Sequence, residues 1–319
     1  ADPAVAAGVP EFLRKNLSVI PSQCHLHKKG RQVLALPLGE LDAKRPERAS
    51  PFTIEKMPMN YLLTLSYDGT HYCGFQVQPN GRSVAQTVQD ALEAVLGHRP
   101  DIKGCSRTDA GVHALGFALN FHADTRIPVE KLPLALNQHL PMDIRVLSAR
   151  VVPDDFHARY AAHTKTYLYR IRNSPIDSPF DEKYYARVPR RLDAVRMQQA
   201  ADQFVGTHDF RALCAAGSSA AAHGDTVRTI TACTVTRKGD EVDITVTADG
   251  YLYNMVRILA GTLCEVGAGR MEPDAIPGIL ASCDRSKAGP TFPAKGLFLK
   301  EVQYDAPAVD RAAQLTAEP

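Results

Sequence analysis

One short segment, GCSRTDAGVHALG at residues 104–116, concentrates side chains that can take part in a reaction. Asp109 supplies a carboxylate, and Arg107 is close enough in sequence to favour its ionised form. Ala110 and Gly111 leave room for a ligand that approaches the backbone. An ionised carboxylate in a cleft can be a base, a metal ligand or a nucleophile. A turn in which the aspartate bonds its own backbone is the alternative, and spacing alone favours that turn.

A second segment, HTKTYLYR at residues 163–170, places two tyrosines on one face of a predicted strand. These are Tyr167 and Tyr169, and the basic residues Lys165 and Arg170 lie nearby in the sequence. Tyrosines in this pattern either pack in the core or present a ring to a ligand.

A third segment, DGYLYNMVRILAG at residues 249–261, carries Arg257 inside an otherwise apolar helical pattern. A buried arginine requires a carboxylate partner, because an unpaired buried charge is costly. Its side chain can instead extend along the helix to the surface. His113, at the end of the first segment, is interpreted as a packed or hydrogen-bonded residue and not as a catalytic one.

Motifs for cofactors and metals are missing from the sequence. It contains neither a phosphate-binding glycine motif that opens a helix nor a nucleophile elbow, and no two histidines have the helical spacing of metal ligands. Cys24, His25 and His27 lack a fourth ligand nearby, which disfavours a metal there. We therefore expect no nucleotide cofactor, no other cofactor and no catalytic metal.

The composition is that of an ordinary globular protein, with 319 residues, 45% hydrophobic and 23% charged. The net charge of +2 means that any site for a polyanion must come from local clustering. The seven cysteines are odd in number and none has C-x-x-C spacing, which indicates a reducing compartment. No membrane-length apolar run and no signal peptide are visible. We expect a cytoplasmic protein without membrane contact.

Hydrophobic periodicity predicts the elements that must position these residues. Residues 1–56 have weak periodicity and are expected to form a poorly ordered N-terminal appendage. After them, the order β-α-β-β-α-β occurs twice. The first set of elements is predicted at 61–67, 84–97, 101–108, 116–122, 128–140 and 144–151. The second set is predicted at 165–172, 192–205, 227–236, 241–248, 252–266 and 297–303.

This order predicts an α+β fold with two tandem ferredoxin-like (split βαβ) units, joined into one largely antiparallel sheet with a central cleft. The expected boundaries are 57–160 for the N-terminal domain, 161–305 for the C-terminal domain and 306–319 for a tail. Because ligands favour clefts at domain junctions, the reactive segments are expected to meet there.

From about residue 59 to 305 the chain resembles the TruA-type tRNA pseudouridine synthases. Six segments carry the resemblance in family order: YDGTHYCGFQ (67–76), GCSRTDAGVHA (104–114), FHARYAAHTKTYLYRI (156–171), GTHDFRAL (206–213), ADGYLYNMVRILAGTL (248–263) and RSKAGPTFPAKGLFL (285–299). Ser106, Leu213 and Phe292 are mild departures from the family pattern. Residues 1–56 match nothing in the family.

The resemblance implies an isomerase that converts uridine in tRNA to pseudouridine without a cofactor. Asp109 would be the nucleophile, attacking either the anomeric carbon of the sugar or the uracil ring. Arg257 would pair with Asp109 and keep it ionised at neutral pH. Tyr167 would contact the target base, and Arg107 would order the loop or touch a phosphate.

The family's substrate is the anticodon arm of tRNA, modified at positions 38, 39 and 40, and family members act as homodimers. Phosphates would be bound by a set of basic residues, which are Arg82, Lys103, Arg159, Lys165 and Arg170. Two alternatives stay open: a catalytically silent RNA-binding module or tRNA chaperone with the same fold, and a relative with another target uridine.

Overall fold

A ten-stranded, largely antiparallel sheet runs through the part of the chain that this computed structural model describes. The described residues are 58–79, 81–176, 178–217 and 222–309. The chain divides into two units, Ala1–Thr53 and Ile54–Pro319, and every described residue belongs to the second. The expected N-terminal appendage lies outside the described residues.

The first half of the sheet has the split βαβ order. Its elements are β1 (Met59–Tyr67), α1 (Val84–Leu96), β2 (Ile102–Gly104), β3 (His113–Ala123), α2 (Leu132–Asn137) and β4 (Ile144–Val152). The strands lie in the order β4-β1-β3-β2, with antiparallel pairing throughout. The strand predicted at 101–108 ends at Gly104, because the residues after it form the loop that carries Asp109.

The second half repeats this order with additional short strands and helices. Its elements are β5 (Ala162–Arg172), β6 (Ala186–Arg187), α3 (Ala194–Asp202), β7 (Gly206–Asp209), β8 (Val227–Lys238), β9 (Glu241–Ala248), α4 (Met255–Gly267), α5 (Ile276–Ser282), β10 (Leu297–Tyr304) and α6 (Ala306–Val309). The strands follow the order β10-β5-β9-β8-β7. The helical turn α6 opens the expected tail, and residues 310–319 lie outside the described part.

Strand β10 joins the two halves into one sheet. It pairs in parallel with β3, where Phe298 lies opposite His113 and Leu299 opposite Ala114, and it pairs antiparallel with β5. This arrangement confirms the predicted fold class. The predicted domain boundary at residues 160 and 161 falls in the turn between β4 and β5, and it stays a prediction.

Capping residues set the ends of α1, whereas α4 is defined by its burial. The hydroxyl of Ser83 accepts a hydrogen bond from the amide of Gln86 at 3.2 Å and caps α1, and Gly97 closes that helix with a left-handed φ of 78°. In α4 nearly every side chain is buried, and Arg257 is one of the two half-buried exceptions. This helix is therefore a core element that carries a cation.

Alternation along β5 separates two sets of side chains. Tyr167, Tyr169 and Ile171 are buried with the core, whereas Leu168 and Arg170 point to the opposite face of the sheet and are half-buried. The face that carries the tyrosines is the face on which the site lies.

Candidate active site

The loop at residues 105–112, between β2 and β3, holds Asp109 in a fixed turn. The amide of Val112 donates to the carbonyl of Asp109 at 3.2 Å, and the amide of Phe75 donates to the carbonyl of Thr108 at 3.1 Å. The loop is thus bonded both to itself and to the segment that follows β1.

The YDGTHYCGFQ segment, residues 67–76, supports this loop from behind. The hydroxyl of Tyr67 lies 2.8 Å from Oγ1 of Thr108. Gly74 has a φ of 94°, and a Cβ at this position would lie 2.6 Å from the carbonyl oxygen of Thr108. Only glycine allows this conformation and this close approach. Two segments that are far apart in sequence therefore form one support for the carboxylate.

Asp109 and Arg257 meet, as the resemblance implied. Nη1 of Arg257 lies 3.5 Å from Oδ2 of Asp109. The guanidinium is held on two other sides, because its Nε donates to the carbonyl of Phe292 at 2.7 Å and Nη1 donates to Oδ1 of Asn254 at 2.8 Å. The arginine side chain therefore turns toward the aspartate and does not extend along the helix to solvent.

Burial changes the expected electrostatics of Asp109. Burial raises the pKa of this carboxyl above its ordinary value of 3.8, and the charge of Arg257 opposes the rise. The sequence-based expectation emphasised Arg257 as the controlling influence, whereas desolvation is the larger cause. A poorly solvated carboxylate that is held by one loose ion pair is a stronger base and nucleophile than a fully hydrated one.

Tyr167 lies beside the loop on the floor of the site. Its hydroxyl is 3.0 Å from Oγ of Ser106, and its ring meets that of Tyr251 edge-on at 4.8 Å. Burial raises the pKa of the Tyr167 phenol, so the hydroxyl stays neutral at physiological pH. The side chain of Ser106 thus forms a hydrogen bond with the hydroxyl of Tyr167.

A cleft of about 600 Å³ is lined by residues from both halves of the sheet, among them Ser106, Asp109, Tyr167 and Tyr251. Four cationic side chains share it with Asp109: Arg107, Arg159, Lys165 and Arg228. Burial lowers the pKa of Lys165. Arg228 is bonded to the carboxylate of Asp225 at 2.8 Å. Within the described part of the chain, Arg107, Arg159 and Lys165 form no ion pair.

Three of the predicted phosphate contacts lie outside this cleft. Arg82 donates to Oγ1 of Thr87 at 3.1 Å, on the first turn of α1. Lys103 forms an ion pair with Asp101. Both side chains are therefore engaged by their own local surroundings.

Arg170 is the third, and it lies on the opposite face of the sheet from Tyr167. Its guanidinium carbon is 4.3 Å from the ring centre of Tyr185, and it is 3.8 Å from a carboxylate oxygen of Glu241. The structure does not bring this arginine to the cleft, because residues an odd number apart on a strand face opposite sides.

His113 is a packed residue, as interpreted from the sequence. It is 1% exposed and stacks on Phe298 with ring centres 4.6 Å apart. Nδ1 accepts from the amide of Gly69 at 3.1 Å, so Nε2 carries the proton that it donates to the carbonyl of Lys183 at 3.0 Å. Burial lowers the pKa of His113, and the neutral ring ties the end of the loop to a distant segment.

Sequence reasoning missed three residues of the site. Asn254 precedes α4 with a left-handed φ of 59°, Tyr251 packs on Tyr167, and Arg228 reaches the cleft from β8. Asn254 and Tyr251 could have been found from the sequence, because both lie in the 249–261 segment that carries Arg257. No group of three His, Cys, Asp or Glu side chains suited to a metal occurs among the described residues. No helix in that part of the chain is long and apolar enough to cross a membrane.

Comparison with known proteins covers both halves of this sheet. The family model described as tRNA pseudouridine synthase matches residues 64–161 and 200–305. A tRNA pseudouridine synthase A of Caldicellulosiruptor saccharolyticus is 45% identical over 245 residues, which cover 77% of this chain and 99% of the relative. The protein of the same name from Moorella thermoacetica is 46% identical over 244 residues, covering 76% of this chain and 98% of the relative.

A solved structure of a Cbf5-Nop10-Gar1 complex aligns with 64% of this chain and 54% of that chain, at 11% identity and a TM-score of 0.28. The fold assignment therefore rests on the strand order itself. The fold and the cleft define the class: an α+β protein with a half-buried carboxylate beside a tyrosine floor. On the sequence matches, the chain belongs to the tRNA pseudouridine synthase family, whose enzymes are isomerases.

Proposed function

We propose that the protein converts uridines of the anticodon stem-loop of tRNA, at positions 38, 39 and 40, to pseudouridine. Asp109 acts as the nucleophile and no cofactor takes part. The observation that carries this proposal is the position of Asp109 in the cleft, half-buried next to Tyr167 and paired loosely with Arg257. Near-complete coverage of relatives named tRNA pseudouridine synthase A supports the substrate class.

The reaction breaks one bond and forms another between the same two fragments. Asp109 attacks either C1′ of the ribose or the uracil ring, and the C1′–N1 bond breaks. The base turns in the cleft and C5 bonds to C1′. The hydrogen on C5 is lost as a proton, N1 gains a proton, and the carboxylate is regenerated. Atoms and electrons balance without an oxidant or a second substrate.

One carboxylate is enough for this isomerisation. A glycosidase needs a second carboxyl group to activate water or to protonate the leaving group. Among the described residues that line the cleft, the other carboxylate is Asp225, and Arg228 binds it at 2.8 Å. A site with a single available carboxylate fits a reaction in which the base is kept and water does not replace it.

Tyr167 and the cationic side chains have separate proposed roles. The tyrosine ring stacks on the uracil or covers it from water, and Arg107 and Lys165 bind phosphates next to the flipped nucleotide. Arg257 steadies the charge of Asp109. The protein acts in the cytoplasm as a homodimer, since two basic clefts together would offset the small net charge of the chain.

The test is the release of tritium from tRNA labelled at C5 of uridine. We expect the wild-type protein to release tritium and Asp109→Ala to release none, with both proteins equally folded by circular dichroism. Sequencing of the product would locate pseudouridine at positions 38, 39 and 40. Size-exclusion chromatography with light scattering would test the dimer.

A catalytically silent RNA-binding protein is the second candidate. It is favoured by three cations in the cleft that form no ion pair among the described residues: Arg107, Arg159 and Lys165. It predicts tRNA binding without tritium release by the wild type. The presence of Asp109, Tyr167 and Arg257 at one place favours the enzyme.

A further inference from the structure

The turn between β4 and β5 presents an aromatic ring to solvent. Tyr160 is 77% exposed, so most of its side chain is open to solvent. The amides of Tyr160 and Ala161 both donate to the carbonyl of His157, at 3.1 and 2.9 Å. The backbone under the exposed ring is therefore fixed.

Two buried asparagines anchor this turn from beneath. Nδ2 of Asn60 donates to the carbonyls of Pro153 and Phe156 at 2.9 and 3.0 Å. Oδ1 of Asn120 accepts from the amide of Ala158 at 2.8 Å. Burial of a side-chain amide is costly unless it is hydrogen-bonded. Both asparagines, 0% and 2% exposed, use their hydrogen bonds largely to hold the turn in place.

The neighbours of Tyr160 are aromatic and basic. Its ring centre lies 4.4 Å from that of His157, at an angle of 41°. The guanidinium carbon of Arg159 lies 5.7 Å from the ring centre of Tyr160. Arg159 also lines the cleft that contains Asp109, and within the described part of the chain it has no carboxylate partner. Arg159 thus lies next to the exposed ring of Tyr160 and also lines the cleft.

We propose that His157, Arg159 and Tyr160, called here the 157–160 platform, bind an unpaired nucleotide of the substrate RNA next to the target uridine. The base stacks on Tyr160 and the guanidinium of Arg159 contacts its phosphate. This inference rests on the proposed function, because it places a second nucleotide of the same substrate.

The physical reason is the cost of extracting the target uridine from its stack. A base that leaves a stem-loop loses stacking with its neighbours. A neighbouring base that stacks on an aromatic side chain recovers part of that loss without selecting a sequence. A turn that only connected the two halves of the sheet would need the buried asparagines but not an exposed ring flanked by a cation.

The test compares three variants in steady-state tritium release and in direct binding of an anticodon stem-loop RNA. Tyr160→Ala should raise KM and Kd roughly 5- to 150-fold, the range found for stacking of one base. Its kcat should change little. Tyr160→Phe keeps the ring and should behave as the wild type. Phe180→Ala removes a comparably exposed aromatic ring, 89% exposed and outside the cleft, and should have no effect.

Stem-loops with 2-aminopurine at single unpaired positions report the stacking directly. For 2-aminopurine at one of these positions, the fluorescence should fall when the RNA binds the wild type or Tyr160→Phe. It should not fall when the RNA binds Tyr160→Ala. Tritium release by the wild type with unchanged KM and emission for Tyr160→Ala would overturn the platform and leave the reaction standing. Emission that depends on Tyr160 without tritium release would support the platform and overturn the reaction. A wild type that binds no stem-loop would overturn both.

Discussion

Nη1 of Arg257 and Oδ2 of Asp109 lie 3.5 Å apart, which is longer than the 2.7–2.9 Å typical of a strong charge-assisted hydrogen bond. The same nitrogen donates to Oδ1 of Asn254 at 2.8 Å. In the free protein the arginine is thus held mainly by neutral acceptors, and the aspartate is only partly neutralised. This arrangement leaves the carboxylate available for attack, with its charge supported from one side.

The pH dependence of kcat/KM should therefore report Asp109. Activity should fall as the pH decreases through the pKa of this carboxyl, which burial raises above its ordinary value. Arg257→Gln removes the charge that opposes this rise, so the acidic limb should move to higher pH. Tritium release measured from pH 4 to pH 9 would check this. An acidic limb at the same pH in both proteins would show that Arg257 does not control the carboxylate.

Asp109→Asn should make the protein more stable at neutral pH. A carboxyl whose pKa is raised by folding favours the folded state below its unfolded pKa and loses that contribution as the pH rises through the folded pKa. The neutral amide of the variant does not titrate. The melting temperature of Asp109→Asn should therefore exceed that of the wild type at pH 7, and the difference should disappear below about pH 4. Asp124→Asn, an exposed aspartate outside the cleft, is the matched control and should show no such gain. A loss of stability at pH 7 would mean that the ion pair outweighs the desolvation.

Periodicity predicted the repeated β-α-β-β-α-β order, because the spacing of apolar residues within each segment indicates whether that segment is a helix or a strand. The parallel contact of β10 with β3 joins residues that are far apart in sequence, and no local pattern specifies it. Strand alternation could have shown that Arg170 faces away from Tyr167, since the two positions differ by an odd number. The left-handed backbone of Asn254 has no sequence signature strong enough to find it. Burial, and not the arginine, dominates the pKa of Asp109, and burial was not predictable before the fold was known.

Binding of tRNA should weaken steeply with salt, because cationic side chains displace ions from phosphates. Arg107→Gln and Lys165→Met should each lower the slope of log Kd against log salt by about one. Arg99→Gln removes an exposed arginine that is bonded to Asp90 and Glu93 on α1, and this control should leave the slope unchanged. Equal slopes in all four proteins would assign the phosphate contacts to other residues.

The hydrogen bond between Ser106 and Tyr167 should orient the phenol ring. Ser106→Ala removes it and should destabilise the protein by about 1 kcal/mol, the usual net value of one such bond. Tyr167→Phe keeps the ring and should retain most of kcat, whereas Tyr167→Leu removes the aromatic face and should lose far more. Urea unfolding and tritium release would separate the two effects. Equal activity of the phenylalanine and leucine variants would exclude stacking on the uracil.

Asn254 has two functions that substitutions can separate. Its left-handed backbone is strained for any residue with a Cβ, and its side chain accepts from Arg257. Asn254→Gly relieves the backbone and removes the acceptor, and Asn254→Ala removes the acceptor while it keeps the strain. The alanine variant should therefore be less stable than the glycine variant by about 1 kcal/mol.

Activity should not follow that difference in stability. Both variants lose the bond that aims the guanidinium, so both should show a similar fall in kcat and the same shift in the acidic limb of the pH profile. Thermal unfolding and tritium release on the same two proteins give the comparison. If the glycine variant kept full kcat while the alanine variant lost it, the backbone and not the side chain of Asn254 would position Arg257.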